Sequence, residues 1–194
     1  MYDPLILSDV SNYKKFANKE LTFKFNHFLD HHKSHAANGF YTRPWESSED
    51  TVIMTMDGVG EFETYTLYSH KFEKLDSWST PKSVGLVYTG ITKDLGLRSM
   101  EDEYIVMGLA SYGVPVWGEE MYNWFLNLQS GEKKTDRTWR DKMKNLDWPK
   151  HDVAASVQYM AEKVIMDQAK KARQYGSKLI WSGGVAQNIV AASK

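Results

Sequence analysis

Apolar and polar positions along the chain alternate with two different periods, and the switches between them mark out the elements. Residues 8–20 read as a helix with Ser8 or Ser11 as its N-cap and lysine-rich turns exposed. Thr22–Phe28 sets Phe23, Phe25 and His27 against polar neighbours until Phe28 breaks the pattern, which predicts a strand. A short helix follows from His31 or His32 to about Tyr41, closed by Asn38-Gly39 and by Arg43-Pro44. TVIMTM, at 51–56, is almost wholly apolar or β-branched, as expected of a central strand buried on both faces. Residues 61–70 alternate strictly and pair with it as a hairpin across Asp57-Gly58-Val59-Gly60, and 71–78 extend the meander.

Beyond the meander the period lengthens. Pro81 is expected to open a helix with Val84, Val87, Tyr88, Ile91 and Leu95 on one face, and a second helix covers roughly 99–110. The stretch 116–150, rich in Trp, Lys and Asp, has weak periodicity and reads as an irregular helical insertion. Residues 152–174 carry the clearest helical pattern, with Val153, Val157, Met160, Val164 and Ala172 at core spacing. A buried strand, LIW, follows at 179–181, then a Gly-Gly turn. The order from residue 51 is three strands, helices, a long helix and a strand. This is an α/β arrangement that suits a ribonuclease H-like lobe of the actin-type ATPase fold.

Composition narrows the function classes. The 194 residues are 42% hydrophobic and 25% charged with a formal net charge of −1, which gives no electrostatic basis for nucleic-acid or anionic-membrane binding. The absence of cysteine excludes disulfides, thiolate metal sites and cysteine nucleophiles. No apolar run approaches the ~20 residues of a membrane span, so a cytoplasmic protein is expected. The last residues, a strand, a turn and about two helical turns, are expected to be part of a fragment or of one piece of a split protein.

The candidate chemistry sits near residue 30. His31 and His35 are four apart and share one helix face, and Asp57 stands where the apolar strand 51–56 runs into a Gly-rich turn. Two imidazoles and a carboxylate suit a divalent metal and leave coordination positions open. His32 would point about 100° away from His31 on a helix. Taken alone, each feature has a bland reading: a histidine-rich cap, a hairpin aspartate, and a strand-to-helix turn at Gly183-Gly184. The tryptophans at 117, 124, 139 and 148 fit a satellite core better than an acceptor pocket.

Five blocks together carry more weight: HHKSHAANGFY, TMDGVGE, SVGLVYTGITKDLG, DEYIVMGLASYG and WSGGVAQN. In this order and spacing they resemble the O-carbamoyltransferase family, over roughly residues 22–190, and more distantly the tRNA threonylcarbamoyltransferase. The resemblance implies an incomplete actin-like ATPase fold, with the end of a first lobe at 1–50 and most of a second at 51–194. It implies that His31, His35 and Asp57 bind a divalent metal (iron, with zinc or manganese as alternatives), His35 and Asp57 acting in catalysis. A further aspartate ligand would lie downstream of the GGVAxN block. The implied substrates are ATP and carbamoyl phosphate, joined as carbamoyl-adenylate by a YrdC-like domain, with a sugar-like or small-molecule hydroxyl as acceptor.

Nucleotide contacts would come from Gly183, Gly184 and Asn188 and, by comparison with the tRNA enzyme, from Gly85 and Thr89. Thr89, Ser111 and Ile105 depart from the pattern, which has an acid, a proline and a lysine there. The missing domain and lobe segments would be partners, on the same or another chain, and a homo-oligomer is an open alternative. Two other functions remain in view: a threonylcarbamoyl-transfer protein acting on tRNA, and a non-catalytic nucleotide-binding subunit.

Overall fold

The computed structural model describes residues 29–131 and 148–194. The helix expected at 8–20, the strand at Thr22–Phe28 and residues 132–147 of the helical insertion lie outside the described residues.

Four strands form one mixed sheet: β1 (Thr51–Met56), β2 (Glu63–Ser69), β3 (Lys74–Ser79) and β4 (Lys178–Ser182), in the order β3-β2-β1-β4. The first three are antiparallel neighbours, whereas β4 runs parallel to β1 with Ile53 opposite Ile180 and Thr55 opposite Ser182. Every residue of β1 is buried, as its unbroken apolar pattern requires of a strand covered on both faces.

Each face of the sheet has its own core. On one, Ile53, Tyr68 and Ile180 meet Ala36 and Phe40 of α1 (His31–Tyr41). On the other, Val52, Met54, Met56, Tyr65 and Leu67 pack against a helical layer. That layer contains α2 (Val84–Asp94), α3 (Glu103–Ala110), α4 (Gly118–Asn127) and α5 (Lys150–Ala172). The five residues expected to form the core stripe of α5 are all buried, and Ala154, Ala161 and Ile165 widen it into the centre of the layer.

Three local expectations change. Helix α2 begins at Val84 because Ser83 is its N-cap, the hydroxyl oxygen accepting from the Leu86 amide at 3.0 Å. Helix α3 starts at Glu103, later than expected, because Asp102 is engaged by Arg98 through the backbone amide at 2.9 Å and the guanidinium at 3.0 and 3.2 Å. Within the supposed irregular insertion, Gly118–Asn127 is a regular helix with Gly118, Met121 and Phe125 buried. Its pattern is blurred because Trp117, Tyr122 and Trp124 are also partly buried against the same core. Trp117 and Trp148 stack at 3.9 Å, so these tryptophans extend the core. Trp139 lies outside the described residues.

Candidate functional site

Helix α1 lies across β1 and β4 with His32, Ala36 and Phe40 turned to the sheet. Asp30 caps it, one carboxylate oxygen accepting from the Lys33 amide at 2.6 Å. His31 and His35, about 100° round from the buried stripe, project past the sheet's end, beside Asp57 at the end of β1. The parallel partner β4 ends at the same edge and turns through Gly183 and Gly184. The site therefore occupies the C-terminal edge of a parallel strand pair, where ligands of open α/β sheets bind.

The three predicted ligands come together. Asp57 Oδ2 lies 2.9 Å from His31 Nε2 and 2.9 Å from His35 Nε2, and the two imidazole nitrogens are 3.2 Å apart. Among the described residues these three side chains form the one group of histidines and carboxylates spaced to hold a metal ion. Asp57 Oδ1 accepts from the Gly58 amide at 2.8 Å and Oδ2 from the Gly184 amide at 3.3 Å. Burial raises the Asp57 pKa, but the bond from His31, the amides of Gly58 and Gly184 and the charge of His31 together hold it below the usual carboxylate range. The carboxylate is thus ionised and acceptor-only at neutral pH, as a metal ligand must be.

His32 has a different role. Its Nε2 bonds the Glu63 carbonyl at 2.8 Å and its Nδ1 the Thr55 hydroxyl at 2.7 Å. A carbonyl only accepts, so Nε2 carries the proton and Nδ1 accepts from Thr55. Burial pushes its pKa down, against the pull of the Glu63 bond, and it serves as a neutral strut between α1 and the sheet.

Gly183 and Gly184 are placed against Asp57 by backbone that only glycine fits. Gly183 has φ 99°, and a Cβ there would meet the Met56 carbonyl oxygen at 2.2 Å; one on Gly184 would meet Asp57 Oδ1 at 2.7 Å. The two glycines, Asp57 and His35 line an open cleft of about 550 Å³ together with Asn38, Thr42, Ser182 and Gln187.

The remaining predicted residues lie elsewhere. Gly85 and Thr89 sit on α2 and do not line this cleft; Gly85 is where α2 touches the Gly58 backbone, which a Cβ would approach to 2.7 Å. Asn188 is buried, with its carboxamide bonded to Gln158 and to the Ala191 amide. Residues that sequence reasoning missed include Glu61, whose carboxylate accepts from the His31 amide at 3.0 and 3.2 Å and anchors the first turn of α1. Its signal was its place four residues after Asp57 in the TMDGVGE block. The Ser182 hydroxyl, which donates to the His35 carbonyl at 2.7 Å, had no signal of that kind.

A family model described as carbamoyltransferase N-terminus matches residues 1–194. The chain is 31% identical over 192 residues to an uncharacterized protein of Synechocystis sp., aligning 84% of this chain with 31% of that protein. It is 29% identical over 184 residues to the nodulation protein NolNO of Sinorhizobium fredii, with 86% of this chain and 26% of that protein covered. For the nodulation protein NolO of Bradyrhizobium diazoefficiens the identity is 29% over 183 residues, covering 86% and 33%. The chain spans no more than a third of the length of these curated relatives.

Proposed function

From the premise that the chain belongs to the carbamoyltransferase N-terminus family, we propose that it forms the metal-holding part of an ATP-dependent O-carbamoyltransferase. The observation that carries this reading is the mutual spacing of the His31, His35 and Asp57 donors, at 2.9, 2.9 and 3.2 Å. Three ligands about 2.1 Å from one cation lie about 3.0 Å apart at right angles and about 3.4 Å apart in a tetrahedron. The observed spacing supports a facial set of two imidazoles and a carboxylate, the donor type of non-haem ferrous sites, with further positions open.

When bound, such a cation supplies a Lewis acid for the carbamoyl carbonyl, easing attack by an acceptor hydroxyl. The chain's own residues prepare that event. The ionised Asp57 supplies the negative charge of the site, and the Gly58 and Gly184 amides fix its two oxygens. The α1 scaffold holds His31 and His35 one turn apart, with the Glu61 carboxylate tying down the His31 backbone. The cleft beside them, lined by Asn38, Thr42, Ser182 and Gln187, offers polar groups of both kinds to a sugar-like or other hydroxylated acceptor.

The larger frame belongs to the proposal as well. The meander with a parallel fourth strand beside its first supports a lobe of the actin-like ATPase fold. In that frame ATP and carbamoyl phosphate are the co-substrates, and the carbamoyl-adenylate comes from a YrdC-like domain. The glycine corner at 183–184 is the nucleotide contact nearest the metal ligands.

Elemental analysis after anaerobic purification tests the site directly. The expected result is near-stoichiometric iron, zinc or manganese in the native chain and none in His35→Ala or Asp57→Ala. Metal that survives both substitutions would place the site elsewhere.

A further inference from the structure

Gln158 lies in the middle of α5, and it is 4% exposed. Its carboxamide oxygen accepts from the Tyr88 hydroxyl at 2.9 Å and from Asn188 Nδ2 at 3.0 Å. Its nitrogen donates to Asn188 Oδ1 at 3.0 Å and to Glu162 Oε1 at 2.9 Å. Every hydrogen-bonding capacity of a buried primary amide is therefore used, and the Gln158–Asn188 half is a reciprocal amide pair. Asn188 Oδ1 accepts a second bond, from the Ala191 amide at 3.0 Å, which caps the short helix α6 (Ile189–Ala192).

The position of this knot gives it a function. Asn188 ends the 3-10 turn Gly184–Gln187, and the first residue of that turn donates its amide to Asp57. Tyr88 is on α2, the helix whose Gly85 rests against the Gly58 backbone, and Gly58 donates to the other Asp57 oxygen. The two backbone amides that grip Asp57 thus belong to segments joined to one another through Gln158.

We propose that Gln158 and Asn188 are positioning residues for the metal ligand Asp57: their amide pair sets the Gly183-Gly184 corner so that the Gly184 amide holds the carboxylate in its ligating orientation. The proposal rests on the metal-site reading above. It assigns Asn188 to the support of the site, and it leaves the neighbouring Gln187, with Asn38, to line the cleft. A carboxylate ligand that loses an outer hydrogen bond keeps its charge but gains rotational freedom, and metal affinity falls about 10- to 100-fold in such cases.

The test compares the native chain with Gln158→Leu, which keeps the volume but abolishes the pair, and with Val164→Ala, a core truncation two turns along the same helix. Two quantities are read on each: hydrogen exchange of the Gly184 amide in glycine-labelled protein, and manganese affinity by calorimetry. Gln158→Leu is expected to speed Gly184 exchange and weaken manganese binding, each by about tenfold or more, whereas Val164→Ala at similar global stability changes neither. Equal behaviour of the two variants overturns the proposal. If Gln158→Leu does not fold, Asn188→Asp, which removes one of the two reciprocal bonds and keeps the oxygen that caps α6, decides: about threefold faster Gly184 exchange is expected, and no change overturns the proposal. If the native chain takes no metal, the metal-site reading fails, and Gly184 exchange alone decides the role of the pair.

Discussion

His31 and His32 are adjacent in sequence and separated by about 100° of helix, and that angle gives them different chemistry. His31 faces a carboxylate across an open cleft edge, whereas His32 is sealed between α1 and the sheet with both ring nitrogens bonded. Replacing His32 with leucine leaves the Glu63 carbonyl with only the Gly60 amide, at 2.7 Å, and the Thr55 hydroxyl with only a longer bond to the Thr66 carbonyl, at 3.3 Å. Each of the two hydrogen bonds lost contributes about 0.5–1.5 kcal/mol, so the urea midpoint of His32→Leu is expected to fall by the equivalent of about 1–3 kcal/mol. Because His32 tethers α1, the variant also weakens metal binding without touching a ligand; unchanged metal affinity would show that α1 is held by its apolar stripe alone. The convergence of His31, His35 and Asp57 was legible because i, i+4 spacing and a strand end are local signals. The roles of Ser182 and Gln158 were not, because Ser182 meets His35 147 positions away and Gln158 meets Asn188 and Tyr88 at separations of 30 and 70.

The parallel pairing of β1 and β4 is fastened at its start by one residue. The Asp50 carbonyl accepts from the Lys178 amide at 3.0 Å, and its carboxylate accepts from the Ser177 amide at 3.0 Å and from the Ser177 hydroxyl. The Ser177 hydroxyl and amide hold the Asp50 pKa below its ordinary value, with the charge of Lys178 adding to them. A carboxylate whose folded pKa is lowered stabilises the fold above its unfolded pKa and loses that contribution as pH falls through the folded value. The difference in unfolding midpoint between the native chain and Asp50→Ala is therefore expected to be constant above about pH 5 and to shrink below about pH 4. A difference independent of pH would mean that the Ser177 bonds do not favour the ionised carboxylate. At this scale the sequence revealed each strand by its own periodicity, but β4 as the neighbour of β1 comes from a contact between distant segments that no local pattern encodes. Helix α4 was hidden for the opposite reason, an excess of aromatic residues around its circumference.

Across the whole molecule, the candidate metal cluster and its support differ in how far apart they lie along the chain. His31 and Asp57 are 26 positions apart, whereas Asp57 and Gly184 are 127 apart. Loop-closure entropy makes the longer closure costlier by about 1.4 kcal/mol, and at a synthesis rate of about 5–20 residues per second the corner emerges about 6–25 s after the aspartate. During that interval three donors are on offer before the corner that orients the carboxylate has formed. Loosely held nitrogen and oxygen donors rank divalent cations by intrinsic affinity, which puts zinc above iron, and only a rigid site imposes its own geometry on the choice. Refolding in an equal mixture of ferrous and zinc ions is accordingly expected to yield a more zinc-rich protein than loading the already folded chain from the same mixture. Equal metal content by both routes would mean that selection waits for the finished fold. On the metal-site reading, the cation bound would then record the order in which the chain's parts are made, and its identity would be a matter of timing as much as of coordination.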